Sequence, residues 1–291
     1  MIDIKWIVKN PEKFDEIMQN RQQDYRAAQL IKLYEENKQK VTKIQNLQQQ
    51  RKQVADQIAF AMRDRKNSDS LVEKAKEINF EIKELQDEEN DKLRNILLLI
   101  PNIIADDIPI GKDEKSNIEI EKWGEIPQFS FKPKSHDEIG ENLGLLDFEQ
   151  ASVISGARFS ILKGTLSKME RALTNLMLEV AAGYDYEEVS PPLLVKENAM
   201  IGSGQLPKFA EDAFVTTGGY WLIPTAEVSL VNMVQNKLLK SEDLPLRFAA
   251  ITPCFRSEAG SSGQDTRGLI REHQFKKVEL VSIVKAEDSI A

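Results

Sequence analysis

Two arginines and a carboxylate in the last fifty residues carry the strongest chemical signal in the chain. An apolar run over residues 248–254 predicts a buried strand, and Arg256 and Glu258 follow it at positions i and i+2. In an extended chain that spacing places both side chains on one face. Glycine- and serine-rich residues then predict a turn-rich loop. The chain returns through Arg271 into a second apolar run, residues 278–284. We therefore predict two antiparallel strands joined by a long loop.

These side chains suit the binding of anionic and aromatic groups. A planar guanidinium pairs bidentately with a phosphate or a carboxylate, so Arg256 and Arg271 could hold a triphosphate and a carboxylate. Glu258 could accept a hydrogen bond from an exocyclic amine, and Phe275 could stack on a purine. The alternative is a surface hairpin with charge pairs across its strands, which contribute little to stability.

The sequence around these residues resembles motif 2 of the class II aminoacyl-tRNA synthetases. The matching segments are FRSE at 255–258 and, after the loop, REHQFKKVE at 271–279. The full wording resembles seryl-tRNA synthetases of the bacterial or organellar type. Further matches occur in the family's order at residues 2–5 (IDIK), 100–102 (IPN), 189–192 (VSPP), 202–209 (GSGQLPKF) and 224–227 (PTAE).

The resemblance implies a serine–tRNA ligase. Such an enzyme activates L-serine with ATP to seryl-adenylate and transfers the seryl group to tRNA(Ser), and the family also serylates tRNA(Sec). The implied catalytic residues are Arg256, at the α-phosphate, and Arg271, near the serine carboxylate or the adenylate phosphate. ATP, the substrate, is expected with Mg²⁺, and no metal ligand is predicted in this chain. The other implied site residues are Ser257, Glu258 and Phe275 for ATP, and Thr225, Ala226, Glu227 and Glu279 for serine.

Thr225 and Glu227 have two interpretations that can hold together. Both side chains carry oxygens that can accept hydrogen bonds from an ammonium group, and the resemblance implies that they bind the α-amino group of serine. Alternatively, Thr225 caps a helix with Glu227 in its first turn, where a negative charge is favourable.

A long helical pattern over residues 27–100 predicts a second functional region. Apolar residues recur at three- and four-residue steps, and a polar stretch over residues 63–70 interrupts them, which predicts an antiparallel coiled-coil hairpin. From Arg26 to Lys66 there are ten basic and four acidic residues, a net of 10 − 4 = +6. Positive charge on a chain of net charge −8 favours contact with an RNA backbone, the alternatives being a solvated face or a protein-binding arm. The proposed phosphate contacts are Lys43, Lys52, Arg63, Arg65 and Lys66.

Composition limits the remaining possibilities. The chain has 291 residues, of which 41% are hydrophobic and 30% charged, within the range of a folded water-soluble protein. Cys254 is the single cysteine, which excludes an intrachain disulfide, and with two histidines it excludes a cysteine-rich zinc site. No apolar run is long enough to cross a membrane and the N-terminus has no signal-peptide core, so we predict a cytoplasmic protein.

The expected fold class is α+β. It combines an N-terminal antiparallel coiled-coil hairpin with the antiparallel-sheet catalytic domain of the class II synthetases. We predict a tRNA-binding domain over residues 1–110, opening with a strand-like segment, and a catalytic core over 111–291, with a proline-containing linker at 101–135. An apolar stripe on a helix at 166–182, at the place of motif 1, is expected to face either the core or a second copy in a homodimer.

The resemblance covers motifs 1 and 2 and ends before motif 3. We therefore expect a truncated chain that lacks the second ATP-binding arginine, the Mg²⁺ ligands and the pocket for the serine hydroxyl. The alternative function is that of a non-catalytic tRNA-binding fragment or synthetase-like protein. A purely structural coiled-coil protein would leave the arginines, carboxylates and Thr-Ala-Glu loop unexplained.

Overall fold

The computed structural model describes residues 2–64, 67–87, 92–259 and 266–289. The chain divides into two compact units, Met1–Trp123 and Gly124–Ala291. The division falls inside the predicted linker, and later than the boundary predicted at residue 110.

The first residues of the chain form a helix, which corrects the strand-like segment predicted there. Helix α1 (Ile4–Lys9) begins where Asp3 accepts a hydrogen bond from the backbone N–H of Lys5 at 2.9 Å, and it buries Ile7 completely. The cap at Asp3 and the burial of Ile7 stabilise a helix here, and they outweigh the local sequence preference that indicated a strand. Helix α2 (Pro11–Asn20) starts with a proline at its first position, where the missing backbone N–H costs nothing.

The predicted helical hairpin is confirmed. Helix α3 (Ala27–Arg63) has 37 residues and is about 55 Å long, and helix α4 (Asp69–Asp87) packs against it. Their shared core contains Leu47, Val54, Ile78 and Ile82. Helix α5 (Lys92–Leu99) packs with α1, α2 and the start of α3 at the base of the unit.

Two apolar residues that follow the three- and four-residue spacing of the hairpin, Val41 and Met62, lie outside its core. Val41 is 46% exposed and Met62 is 63% exposed, whereas the neighbouring Ala61 is buried. Near the tip, therefore, the small alanine faces the core instead of the methionine. The three- and four-residue spacing alone did not distinguish these two adjacent positions.

The second unit contains short helices and strands around one longer β-hairpin. Its helices are α6 (His136–Asn142), α7 (Phe148–Ser155), α8 (Gly164–Ala182), α9 (Glu197–Gly202) and α10 (Glu227–Asn232). Its strands are β1 (Leu146–Asp147), β2 (Ile161–Leu162), β3 (Glu187–Glu188), β4 (Leu194–Val195), β5 (Trp221–Leu222), β6 (Leu246–Phe255) and β7 (Gln274–Ile283).

The antiparallel pair predicted from the two apolar runs is the β6–β7 hairpin. Its register runs from Leu246 opposite Ile283 to Phe255 opposite Gln274, so β7 begins four residues before the predicted start at 278. Strand β3 pairs in parallel with the other edge of β6. The buried Phe248, Ala250 and Val281 pack against α10, which fixes the Thr-Ala-Glu loop beside the hairpin. Cys254 is fully buried in β6, and burial raises the pKa of its thiol.

The apolar stripe on α8 does not face the core. Five of its members are between 47% and 55% exposed: Met169, Leu173, Leu176, Met177 and Val180. Of the two predicted arrangements, packing into the core of the same unit is therefore excluded. Over the described ranges of the chain, the helices lack the combination of length and apolar composition that crossing a membrane requires.

Candidate active site

A cleft of about 520 Å³ opens at the end of the β6–β7 hairpin where the loop begins. It brings together five of the predicted site residues, Thr225, Glu227, Arg256, Glu258 and Arg271. Residues that the sequence analysis did not select complete its lining, namely Gln205, Phe209, Asp212, Ala213, Pro224 and Lys277.

Arg271 and Glu258 pair with each other across the base of the loop. The Arg271 Nη1 atom donates to Glu258 Oε2 at 2.8 Å, and the Glu258 side chain is only 14% exposed. Glu258 has φ = 50°, so the chain is not extended there as the i, i+2 argument assumed. Both carboxylate and guanidinium still line the cleft. A non-glycine residue in this left-handed region is often found at functional sites.

Arg256 is held between a backbone carbonyl and an aromatic ring. Its Nε atom donates to the carbonyl oxygen of Pro224 at 3.4 Å, and its guanidinium carbon lies 5.1 Å from the centre of the Phe275 ring. A guanidinium over an aromatic face at this distance is a favourable cation–π contact. Arg256 also lines the cleft. Phe275 supports Arg256 from β7, and its stacking on adenine stays a prediction.

Lys277 is the one charged base among the cleft residues that the sequence analysis did not select. Its Nζ atom donates to Thr225 Oγ1 at 2.7 Å and forms an ion pair with Glu279, whose Oε2 atom also accepts from Thr225 Oγ1 at 2.7 Å. An ammonium group thus already interacts with the hydroxyl and carboxylate expected to bind serine. Phe275, Lys277 and Glu279 are every second residue along β7. This spacing places their side chains on one face of the strand, and it was the signal in the sequence that could have identified Lys277.

Thr225 uses its hydroxyl fully. It donates to Glu279, accepts from Lys277 and accepts from the backbone N–H of Glu227 at 3.3 Å. The N-cap of α10 is Ala226 and not Thr225, which corrects the alternative interpretation, whereas Glu227 lies in the first turn as that interpretation predicted. Thr225 is buried, and Ala226 beside it is fully buried in the core, so Ala226 acts through backbone and packing.

Glu227 is a carboxylate in an unfavourable environment. Burial raises its pKa above the usual value of 4.5, the negative charge of Glu279 raises it further, and Lys277 partly offsets both. A carboxylate held in this way gains from the arrival of a cation, which is the property expected of a group that binds an α-ammonium.

Glu227→Gln is expected to stabilise the fold at neutral pH. Because the folded-state pKa of Glu227 is raised, its contribution to stability is present below the unfolded pKa near 4.5 and is lost as pH rises through the folded value. The neutral amide avoids that loss. Thermal unfolding should give a higher Tm for the variant than for wild type at pH 7 and the same Tm near pH 4. Equal values at pH 7 would contradict this account.

The other predicted ATP residue, Ser257, supports the loop from outside the cleft lining. Its backbone N–H donates to the carbonyl of Asp212 at 2.8 Å and its hydroxyl donates to the carbonyl of Glu211 at 2.5 Å. The Asp212 carboxylate accepts from the N–H of Ala259 at 2.9 Å. These contacts fix the segment after β6 that carries Arg256 and Glu258, at the point where it enters the loop.

The predicted phosphate contacts on the hairpin arm differ in their surroundings. Lys43 pairs with Glu81 of α4 at 2.7 Å, whereas Lys52 and Arg63 are exposed on α3. Arg65 and Lys66 lie outside the described residues. Lys52 and Arg63 are therefore the better placed of the described candidates for an external anion.

Family models and curated relatives match both units. Residues 1–104 match the seryl-tRNA synthetase N-terminal domain, and residues 216–291 match the tRNA synthetase class II core domain (G, H, P, S and T). Serine–tRNA ligases of Brucella canis and Brucella melitensis are each 47% identical over 297 residues, covering 100% of this chain and 70% of the relative. The chain belongs to the seryl-tRNA synthetase family. Its members are class II aminoacyl-tRNA synthetases, which favours a ligase over the non-catalytic alternative.

Solved seryl-tRNA synthetase structures have the same fold. The enzyme of Pyrococcus horikoshii, complexed with ATP, superposes with a TM-score of 0.76 at 33% identity, covering 96% of this chain and 69% of that one. The cytoplasmic serine–tRNA ligase of Naegleria fowleri, in complex with AMP, gives 0.77 at 26% identity, covering 100% and 69%. The predicted α+β fold class is confirmed, and ATP as a substrate is supported.

Proposed function

We propose that this chain is a serine–tRNA ligase that forms seryl-adenylate in the cleft of the β6–β7 hairpin and transfers the seryl group to tRNA(Ser), with tRNA(Sec) as a second acceptor. One observation carries the proposal. The cleft is lined by two guanidinium groups, Arg256 and Arg271, and by the hydroxyl and carboxylate of Thr225 and Glu227. Glu279 is not part of the lining, but its carboxylate accepts a hydrogen bond from Thr225. The first group suits phosphates and a carboxylate, and the second suits a small hydroxyl-bearing amine.

Adenylate formation requires the serine carboxylate to attack the α-phosphate of ATP, with pyrophosphate as the leaving group. Arg256, fixed by Pro224 and Phe275, stabilises the negative charge on the α-phosphate as it builds up. Arg271 leaves its ion pair with Glu258 and binds the serine carboxylate or the adenylate phosphate instead. The Glu258 oxygen that accepted from Arg271 then accepts a hydrogen bond from the adenine amine. Neither step needs a protein nucleophile, because positioning and charge stabilisation provide the catalysis.

Serine binding makes use of the Thr225–Lys277–Glu279 cluster. The serine α-ammonium takes over contacts with Thr225 and Glu227, and its charge offsets the burial of the Glu227 carboxylate. Glu279 is left to accept from the serine hydroxyl. Alanine lacks that donor and would leave the buried carboxylate partly unpaired, which gives a basis for its rejection.

Mg²⁺ is proposed to arrive bound to the phosphates of ATP. The described residues contain no cluster of three or more His, Cys, Asp or Glu side chains able to hold a metal ion alone. Mg²⁺ commonly uses substrate phosphates, water and only one or two carboxylates. When bound, it would neutralise phosphate charge.

The proposal is tested by serine-dependent exchange of pyrophosphate into ATP by the purified 291-residue chain. Exchange that requires serine, and that threonine and alanine support poorly, is the expected result. A chain that binds tRNA(Ser) in low salt but exchanges no pyrophosphate would support the tRNA-binding alternative instead.

The coiled-coil arm, α3 and α4, is proposed to bind the tRNA through its phosphates. Lys52→Glu combined with Arg63→Glu is expected to weaken tRNA(Ser) binding, because two exposed cations are replaced by anions. The slope of log K against log salt should become shallower by about two, which is about one for each phosphate that the arm no longer neutralises. Binding measured by fluorescence anisotropy over a salt series tests this.

Lys43→Glu serves as the matched control for the arm. Lys43 is on the same helix but pairs with Glu81, so its replacement should change the salt slope less than either Lys52 or Arg63 alone. An equal effect at all three positions would show that total charge on α3, and not specific phosphate contacts, governs binding.

A homodimer is proposed to cover the half-exposed apolar stripe of α8, at the place of motif 1. A cytoplasmic location agrees with ATP and tRNA as substrates. The domain roles are proposed as predicted, with tRNA binding in the first unit and catalysis in the second.

A further inference from the structure

The segment that leaves the loop and leads into β7 is hydrogen-bonded to the imidazole of a residue that is distant in the sequence. Leu269, two residues before Arg271, donates its backbone N–H to His136 Nε2 at 2.8 Å. His136 is the first residue of α6 and is 133 positions earlier in the chain. The helix start is itself fixed, because Ser135 and Glu138 form a capping box. The imidazole therefore projects from an anchored position.

Gly268 shows that the contact is a close one. Its φ is +59°, and a Cβ atom added there would lie 2.2 Å from His136 Nε2 and 2.7 Å from Cε1. The backbone conformation and the adjacent ring thus both require glycine at this position. Leu269 and Ile270 are 38% and 55% exposed, so burial of their side chains contributes little to holding this segment.

We infer that His136 is a positioning residue for Arg271. It holds the segment that leaves the loop, just as Asp212 holds the segment that enters the loop at Ala259. The inference rests on the proposed function of Arg271 at the serine carboxylate or the adenylate phosphate. Fixing Leu269 limits where Arg271 can place its guanidinium, two residues on, relative to Glu258. The hydrogen bond requires neutral imidazole, since an imidazolium has no acceptor nitrogen.

Amide hydrogen exchange tests the contact without any need for activity. In His136→Leu, the peptide containing residues 267–270 should exchange about three- to tenfold faster than in wild type, as expected for the loss of one hydrogen bond. His136→Gln keeps an acceptor of similar reach and should exchange within about twofold of wild type. Equal exchange in wild type and His136→Leu would overturn the inference.

Steady-state pyrophosphate exchange tests the positioning role. His136→Leu should lower kcat/KM for ATP by about three- to tenfold, because the attack of serine on ATP needs a positioned Arg271. The preference for serine over alanine should be unchanged, because the residues proposed to bind the serine amino and hydroxyl groups lie on β7 and the Thr225 loop. His136→Gln should restore the ATP parameters. A general structural defect would instead also reduce the preference for serine and would not be rescued by glutamine, which would overturn the inference.

A double-mutant cycle with Gly268→Ala keeps the inference testable if His136→Leu folds poorly. Gly268→Ala alone should impair ATP use, since its methyl group meets the imidazole. In the His136→Ala background the added impairment should be smaller, because the clash with the ring is removed and only the backbone strain and the 3.1 Å approach to Asp137 Cβ remain. Strict additivity would contradict the contact. If wild type itself shows no exchange activity, the proposed function fails, and hydrogen exchange still decides the contact.

Discussion

Arg256→Ala is expected to lower the rate of serine-dependent ATP–pyrophosphate exchange by about 100- to 1000-fold, the usual range for removal of a preorganised group that stabilises transition-state charge. Arg256 follows β6 and is held by the carbonyl oxygen of Pro224, in the loop before α10, and by the ring of Phe275 on β7. Arg256→Lys should recover little of the activity, because a lysine neither pairs bidentately nor stacks in the same way.

Arg247→Ala is the matched control for this prediction. Arg247 lies on the same strand, β6, but at its other end, where it faces Asp185 at 3.9 Å and not the cleft. Exchange within about twofold of wild type is expected, as for a weak surface pair. An Arg256→Ala variant that retains more than a tenth of wild-type exchange would contradict the proposed role.

Glu279→Ala is expected to raise the KM for serine by about 10- to 100-fold and to reduce the preference for serine over alanine. Glu279 accepts from Thr225 and pairs with Lys277, and its side chain is 19% exposed. Its removal leaves a hydroxyl and an ammonium without their partner in the cleft. The KM for ATP should change much less, because the contacts of Glu279 are with Thr225 and Lys277 and not with the arginines proposed to hold phosphate.

Glu170→Gln is the control for Glu279→Ala. Glu170 on α8 pairs with Lys276 of β7 at 2.6 Å, so it makes a comparable ion pair with the neighbouring residue on the opposite face of the strand. It should leave the serine KM unchanged. A serine KM that Glu279→Ala does not alter would show that serine binds elsewhere.

The hairpin and five of the residues that line its cleft were predictable from the sequence. The apolar runs bounded β6 and β7, and the motif wording located the arginines and carboxylates. Lys277 was also within reach, because the period of two places it with Phe275 and Glu279. The polar turn and the helical spacing likewise located the arm.

Other features depended on tertiary contacts that no local pattern encodes. The pairing of Arg271 with Glu258 needs the left-handed backbone at Glu258. His136 meets Leu269 only because the fold brings together residues 133 positions apart. The strand-like segment predicted at the start of the chain was wrong, because the cap at Asp3 and the burial of Ile7 stabilise a helix there.

Calorimetric titration with a non-hydrolysable sulfamoyl analogue of seryl-adenylate tests most directly whether one cleft binds both halves of the intermediate. The account predicts that the seryl analogue binds, that the alanyl analogue binds about 10- to 100-fold more weakly, and that Arg256→Ala and Glu279→Ala each weaken binding of the seryl analogue. Equal affinity for the two analogues, or binding that neither variant changes, would contradict it.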